Sequence, residues 1–176
     1  MKILSRLFLL IFFLGFVSQI YSQTWNIKQQ GVTRTAVRNV VFVDANTGYA
    51  VSADNIGGSY PIFKTTNGGN NWTSYLTSCS NSIYSIAFPN ANTGFVCSFN
   101  GEVAKTTNGG VNWTEVYQHA SNSDLQAIEF FDANTGFAAS GLGFYVRTTN
   151  GGSSWTETSS PTFAKSSTLI NSTTAA

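Results

Sequence analysis

Lys64-Thr65-Thr66-Asn67-Gly68-Gly69-Asn70-Asn71-Trp72-Thr73 occurs three times in this chain of 176 residues. It returns as Lys105-Thr106-Thr107-Asn108-Gly109-Gly110-Val111-Asn112-Trp113-Thr114, and again as Arg147-Thr148-Thr149-Asn150-Gly151-Gly152-Ser153-Ser154-Trp155-Thr156. Asn-Gly between β-favouring residues is a strong hairpin signal, because the tight turn needs backbone angles that Asn and Gly tolerate. The Trp residues stand 41 and 42 residues apart, so the hairpin marks a repeating unit.

Upstream of each copy lies a second repeated element. It reads Val40-Val41-Phe42-Val43-Asp44-Ala45-Asn46-Thr47-Gly48-Tyr49-Ala50, then Ile86 to Val96, then Ile128 to Ala138. Each unit therefore predicts four strands: A over Val40–Val43, B over Tyr49–Ser52, C over Ile62–Thr66 and D over Trp72–Tyr75 in the first copy. Ala-Asn-Thr-Gly closes the A–B turn and Asn-Gly-Gly the C–D turn. Helical periodicity is absent after the first 22 residues. A repeat of this length with four antiparallel strands implies an all-β chain of β-propeller blades, over about 37–77, 83–118 and 125–158. Trp25 precedes Phe42 by 17 residues, as Trp113 precedes Phe130, so Trp25 is expected to mark an N-terminal closing strand.

Composition agrees. Aromatics reach 14%, with 16 Gly and 3 Pro, a mix suited to short strands and tight turns. Charged residues make up 10% and the net charge is +1, so nothing marks a nucleic-acid partner or an anionic membrane surface. Lys2 and Arg6 precede an apolar run from Leu7 to Val17, with small and polar residues to Ser22. Residues 1–22 have the layout of a secretory signal, and the run is short for a membrane span; an uncleaved anchor is the alternative. The expected location is secreted, periplasmic or cell-surface, with no stable membrane span after cleavage. Cys79 and Cys97 are candidates for a disulfide in such a compartment or for two buried thiols, and spacing does not choose between them.

The pattern Thr65-x-Asn67-x-Gly69-x-x-Trp72 resembles the Asp-box, or bacterial neuraminidase repeat, with Asn where Asp is usual. Thr106, Asn108, Gly110 and Trp113 repeat it, as do Thr148, Asn150, Gly152 and Trp155. With the upstream element, the unit looks most like the propeller of the photosystem II assembly and stability factor family, over roughly Trp25 to Thr158. That domain is shared by many secreted proteins outside photosynthesis. The resemblance implies that the box is structural and lies away from the ligand face. The chemistry agrees: Asn satisfies turn N–H groups, Gly takes angles a Cβ forbids, and Trp covers the neighbouring strands. Neutral amides are poor calcium ligands, and neither a metal nor a cofactor is expected.

Sialidases share the box, so hydrolysis has to be weighed. It would need an arginine cluster, an acid and a nucleophile pair. The chain past residue 22 has Arg34, Arg38 and Arg147, and Arg147 shares a repeat column with Lys64 and Lys105. Asp44 and Asp132 share a turn column with Asn90, and Glu115 and Glu157 an outer-strand column with Ser74. Asp54, Glu102, Asp124 and Glu129 remain, read as solvated surface, and His119 reads as a loop residue. The expectation is a non-catalytic scaffold that binds a protein partner in assembly, adhesion or at a cell surface. A glycan ligand, with catalytic residues elsewhere, and a purely structural repeat are the alternatives.

Antiparallel blades put the A–B and C–D turns on one face and the B–C and D–A loops on the other. The turns are nearly invariant among the three units, whereas the loops diverge. Gly48 to Lys64 spans 16 residues against 11 in the other two units, which puts five extra residues within Ala53–Pro61. Divergent loops on a rigid frame carry recognition. The ligand-face candidates are Arg34, Arg38, Asp54, Asn55, Tyr60, Asn81, Tyr84, Asp124 and Gln126. Three units and a closing strand fall short of the roughly four to eight blades of a ring, and 159–176 is Ser/Thr-rich. The expectation is a fragment of a larger propeller, with several copies joining into a ring as the alternative.

Overall fold

The computed structural model describes residues 36–53, 55 and 60–159. They form twelve strands in three separate four-stranded antiparallel sheets. The first holds β1 (Val37–Phe42), β2 (Gly48–Ser52), β3 (Ile62–Thr65) and β4 (Thr73–Tyr75). The second holds β5 (Ile83–Ala87), β6 (Gly94–Ser98), β7 (Glu102–Thr106) and β8 (Thr114–Gln118). The third holds β9 (Ala127–Phe130), β10 (Gly136–Ala139), β11 (Phe144–Thr148) and β12 (Thr156–Ser159). Strand order follows chain order in every sheet, so each blade is a meander. The protein is all-β, built of propeller blades.

Burial is graded across each blade. β2 and β6 are buried along their whole length, while β4 and β12 are mostly exposed. The two inner-middle strands touch neighbouring blades, and the outermost strand touches solvent. β5 lies beside both β1 and β9, so the three first strands form the inner wall. Two apolar clusters fill the seams. One gathers Tyr49, Val51, Ile62, Ile86 and Trp113; the other gathers Phe95, Val103, Leu125, Ile128 and Val146.

The repeated turns show why the blades close as they do. Thr106 Oγ1 donates to Asn108 Oδ1 (2.9 Å) and accepts from Gly110 N (3.0 Å), while Asn108 Oδ1 also accepts from Asn112 N (3.0 Å). The first and third units repeat these bonds through Thr65 and Asn67, and Thr148 and Asn150. In the A–B turns, Asp44, Asn90 and Asp132 each accept two backbone N–H bonds through Oδ1. These bonds hold the Asp44 and Asp132 carboxyls below the usual carboxylate range.

Each seam is a clasp between columns of the repeat. The Tyr49 ring stacks on Phe88 of the next blade (3.8 Å, 13°), and its hydroxyl donates to the Gly109 carbonyl (3.0 Å). Burial raises the Tyr49 phenol above its ordinary value, so it stays a proton donor. Lys64 Nζ donates to the same carbonyl (2.7 Å). At the second seam Phe95 stacks on Phe130 (4.1 Å, 17°), and Lys105 Nζ donates to the Gly151 carbonyl (2.6 Å). Gly152 lies against Phe95 at φ 78°, and a Cβ there would sit 2.5 Å from the ring.

Several expectations change. β1 begins at Val37, three residues early, because Val37 pairs with Ser52 and Asn39 with Val51 across a register shift; Arg38 therefore belongs to the strand. The candidate disulfide is not formed: Cys79 and Cys97 are buried free thiols in different seam clusters. Burial pushes the Cys79 thiol up to about 12 and raises that of Cys97 as well. Glu102 is no surface carboxylate but is buried. Residues 1–22, read from the sequence as a secretory signal, lie outside the described residues, as do Trp25, Arg34, Asp54, most of the five-residue insertion and 160–176.

Candidate binding face

The two faces of the blades differ in what holds them. On the turn face, the backbone N–H groups of Gly68, Gly109 and Gly151 donate to Asn46, Asn92 and Asn134 carbonyls, the same bond three times. On the loop face the bonds vary more from unit to unit. Phe99 N donates to Ser82 O, Leu125 N to Ser98 O, Gln126 N to Ala139 O and His119 N to Gly101 O. Of these, Leu125 N to Ser98 O joins two blades and the others lie within one, and Phe99 N to Ser82 O has its counterpart in Ala53 N to Ala36 O of the first unit.

Arg38 and Tyr84 meet there. The Arg38 guanidinium lies 4.1 Å from the centre of the Tyr84 ring, and that ring is 6.2 Å from Phe99. A cation over an aromatic face is held by the ring quadrupole at roughly 0.5–1 kcal/mol where exposed. Arg38 is exposed. Phe99, at 49% exposure, sits in the loop joining β6 to β7, and Leu142, at 64%, in the equivalent loop joining β10 to β11. Leu76, at 66%, follows β4 on the same face. Sequence reasoning passed over these apolar loop residues; the signal available was an apolar residue standing between strands, where a turn residue is usual.

Of the other candidates, Gln126 Nε2 donates to Asp124 Oδ2 (2.6 Å), pairing two of them. The Tyr60 carbonyl accepts from Thr77 Oγ1 (3.1 Å), and Asn81 Oδ1 accepts from Ser82 N (2.8 Å). Asn55 is exposed. Among the seven candidates that are described, Arg38 with Tyr84 and Asp124 with Gln126 form two separate pairs.

The titratable groups on this face are mostly spoken for. Glu102 accepts from Ser80 N (3.0 Å), Ser80 Oγ (2.7 Å) and Ser98 Oγ (3.0 Å). These bonds repay the cost of burying a carboxylate and tie two loops together. His119 is a buried loop residue stacked on Phe144 (4.5 Å), its Nδ1 accepting from Ser121 N and Ser123 N and its Nε2 3.4 Å from Glu157. Among the described residues no cluster of His, Cys, Asp or Glu has the makings of a metal site. Glu129 lines a cleft on the inner wall between β1, β5 and β9. No described helix is long and apolar enough to cross a membrane.

Residues 70–171 match the family described as photosynthesis system II assembly factor YCF48. The chain belongs to that family. Among solved structures, YCF48 bound to D1 peptide is 19% identical with a TM-score of 0.58, over 70% of this chain and 40% of that one. YCF48 from Cyanidioschyzon merolae is 17% identical at 0.58, over 70% and 39%. The GH74 enzyme of Niastella koreensis is 21% identical at 0.57, over 68% and 22%. At these identities the likeness establishes the propeller fold alone. The chain spans about two-fifths of the YCF48 structures' length. No curated protein matches it.

Proposed function

We propose that this YCF48-family chain is an exported, non-catalytic propeller module whose loop face docks an extended segment of a protein partner, in an assembly, adhesion or cell-surface role. The observation that carries the reading is Arg38 stacked on Tyr84 beside exposed Phe99, on the face where the repeat diverges. Arginine and aromatic side chains are the residues that protein-binding surfaces favour, since they bring large contact area with few rotors or forked donors. A YCF48 structure holds a D1 peptide, which supports a peptide ligand for a relative of this fold. Export rests on the leader-like arrangement of residues 1–22. The non-catalytic reading rests on Asp44 and Asp132, whose Oδ1 atoms accept backbone N–H bonds, and on Glu102, whose two oxygens accept from Ser80 and Ser98. The likeness to a GH74 enzyme makes a saccharide the competing ligand.

The test selects peptides from a displayed random library on the purified chain, alongside a glycan array. Selected peptides should bind saturably, and Arg38→Ala and Tyr84→Ala should each weaken them about tenfold while the thermal midpoint stays put. Saturable glycan binding with no selected peptide, or peptides indifferent to both substitutions, would overturn the reading.

A further inference from the structure

We propose that Glu102 is a positioning residue of the loop face: its buried carboxylate presets the loop that carries Phe99, so that a docking segment meets an ordered surface. The inference rests on the docking reading above. It concerns the middle blade, which has a blade on either side, so its loops are already flanked in both directions.

Glu102 opens β7, three residues before Lys105; Pro61 and Phe144 hold the same place before Lys64 and Arg147. Two blades therefore fill this column without a charge, and building a blade does not require one. A carboxylate at 4% exposure is costly unless donors reach it. Ser80 N (3.0 Å) and Ser80 Oγ (2.7 Å) reach it from the loop between β4 and β5, and Ser98 Oγ (3.0 Å) from the end of β6. The charge thus serves the loops rather than the sheet.

Asn100 extends the hub to a third loop. Its Nδ2 donates to Ser80 Oγ (2.7 Å), and its Oδ1 lies 2.7 Å from Ser98 Oγ. Its carbonyl accepts from Gln118 Nε2 (2.7 Å), which also donates to Asn122 Oδ1 (3.0 Å) in the loop between β8 and β9. The Ser98 carbonyl accepts from Gly101 N (3.2 Å) and Leu125 N (3.0 Å). Three consecutive loops are joined in one polar network with Glu102 at its buried end. Phe99 stands between Ser98 and Asn100, both held by that network, and is 49% exposed. A side chain ordered before its ligand arrives spares the complex that cost. Charged hubs of this kind act as a unit, because each bond fixes the geometry of the next.

Glu102→Gln keeps the size but turns one oxygen into a donor, so Ser80 or Ser98 loses an acceptor. The test has two arms on the full chain. Amide hydrogen exchange needs no ligand: exchange at Phe99 and Leu125 should quicken about tenfold while Val96 and Ala104 in the strands hold their rates. Ser80→Ala, a milder and exposed change, should act in the same direction by less. The second arm measures the dissociation constant of a peptide selected on the parent chain. Glu102→Gln should weaken it about tenfold in the parent, as the competent loop becomes rarer, but only about twofold or less where Phe99 is already alanine. A general loss of structure would weaken both backgrounds alike. Unchanged exchange overturns the proposal, as does an equal loss of binding in both backgrounds. Failure to select any peptide overturns the docking reading alone; quickened exchange then still supports Glu102 as the residue that orders these loops.

Discussion

The turn face and the loop face are built on the same strands and obey different rules. On the turn face, Thr106, Asn108 and Gly110 make the bonds that Thr65, Asn67 and Gly69 make, and Thr148, Asn150 and Gly152 make them again. On the loop face, Glu102 is held by Ser80 and Ser98, His119 stacks on Phe144, and Arg38 stacks on Tyr84, each once. Where three copies agree, the residue serves a local or seam contact that every blade needs. Where they differ, it serves one neighbour, or a ligand. Repeat columns within a single chain thus separate scaffold from recognition.

The largest blow to that contrast should come from Gly152→Ala. The new Cβ would stand 2.5 Å from Phe95 Cε1 at a positive φ, so either the ring leaves its stack on Phe130 or the turn unwinds. A loss of about 2–4 kcal/mol is expected from clash plus backbone strain, read as a lowered urea midpoint. A midpoint within error of the parent would show that the turn face is not the stability-bearing side. Arg38→Ala, an exposed change on the other face, is the natural counterpart.

A smaller effect is expected from Thr106→Val. It keeps the shape and the β preference but leaves Gly110 N without its acceptor and takes one of two donors from Asn108 Oδ1. Thr106 is 1% exposed, so water cannot readily replace it, and about 1–3 kcal/mol should be lost. The same substitution in all three units should cost roughly three times as much if the turns act independently. Denaturation of the single and triple variants decides it.

The smallest concerns acid. Asp44 and Asp132 titrate below their ordinary value because backbone N–H groups hold the anion. Their contribution is therefore full above the unfolded value near 3.8 and fades as pH falls through the lower folded value. Asn90 fills the same role without a charge. The double variant Asp44→Asn, Asp132→Asn should match the parent's thermal midpoint at neutral pH and fall less steeply below about pH 4. An identical acid limb would remove these two carboxyls from the account.

What the residues disclosed in advance follows how far apart the interacting partners lie. Thr-x-Asn-x-Gly bonds within five residues, so the turn chemistry is written locally and the strands follow. Lys64 reaches Gly109, 45 residues on, and Lys105 reaches Gly151. The shared column of Lys64, Lys105 and Arg147 was visible as a repeat, yet its job needs the seam. Glu102 was misjudged for the same reason: its partner Ser80 lies 22 residues back, on the other side of a hairpin. Arg38 and Tyr84 were both named for the ligand face, but that one stacks on the other belongs to the pairing of β1 beside β5. Phe99 and Leu142 went unnoticed, since an apolar letter in a loop does not say which way it points.

The clasp between blades has a direction. The middle unit receives with one flank and gives with the other, so duplicating it creates only contacts of a kind already tolerated. A gene carrying such units can lengthen or shorten by whole repeats without inventing new packing, and the variable loops are free to drift apart afterwards.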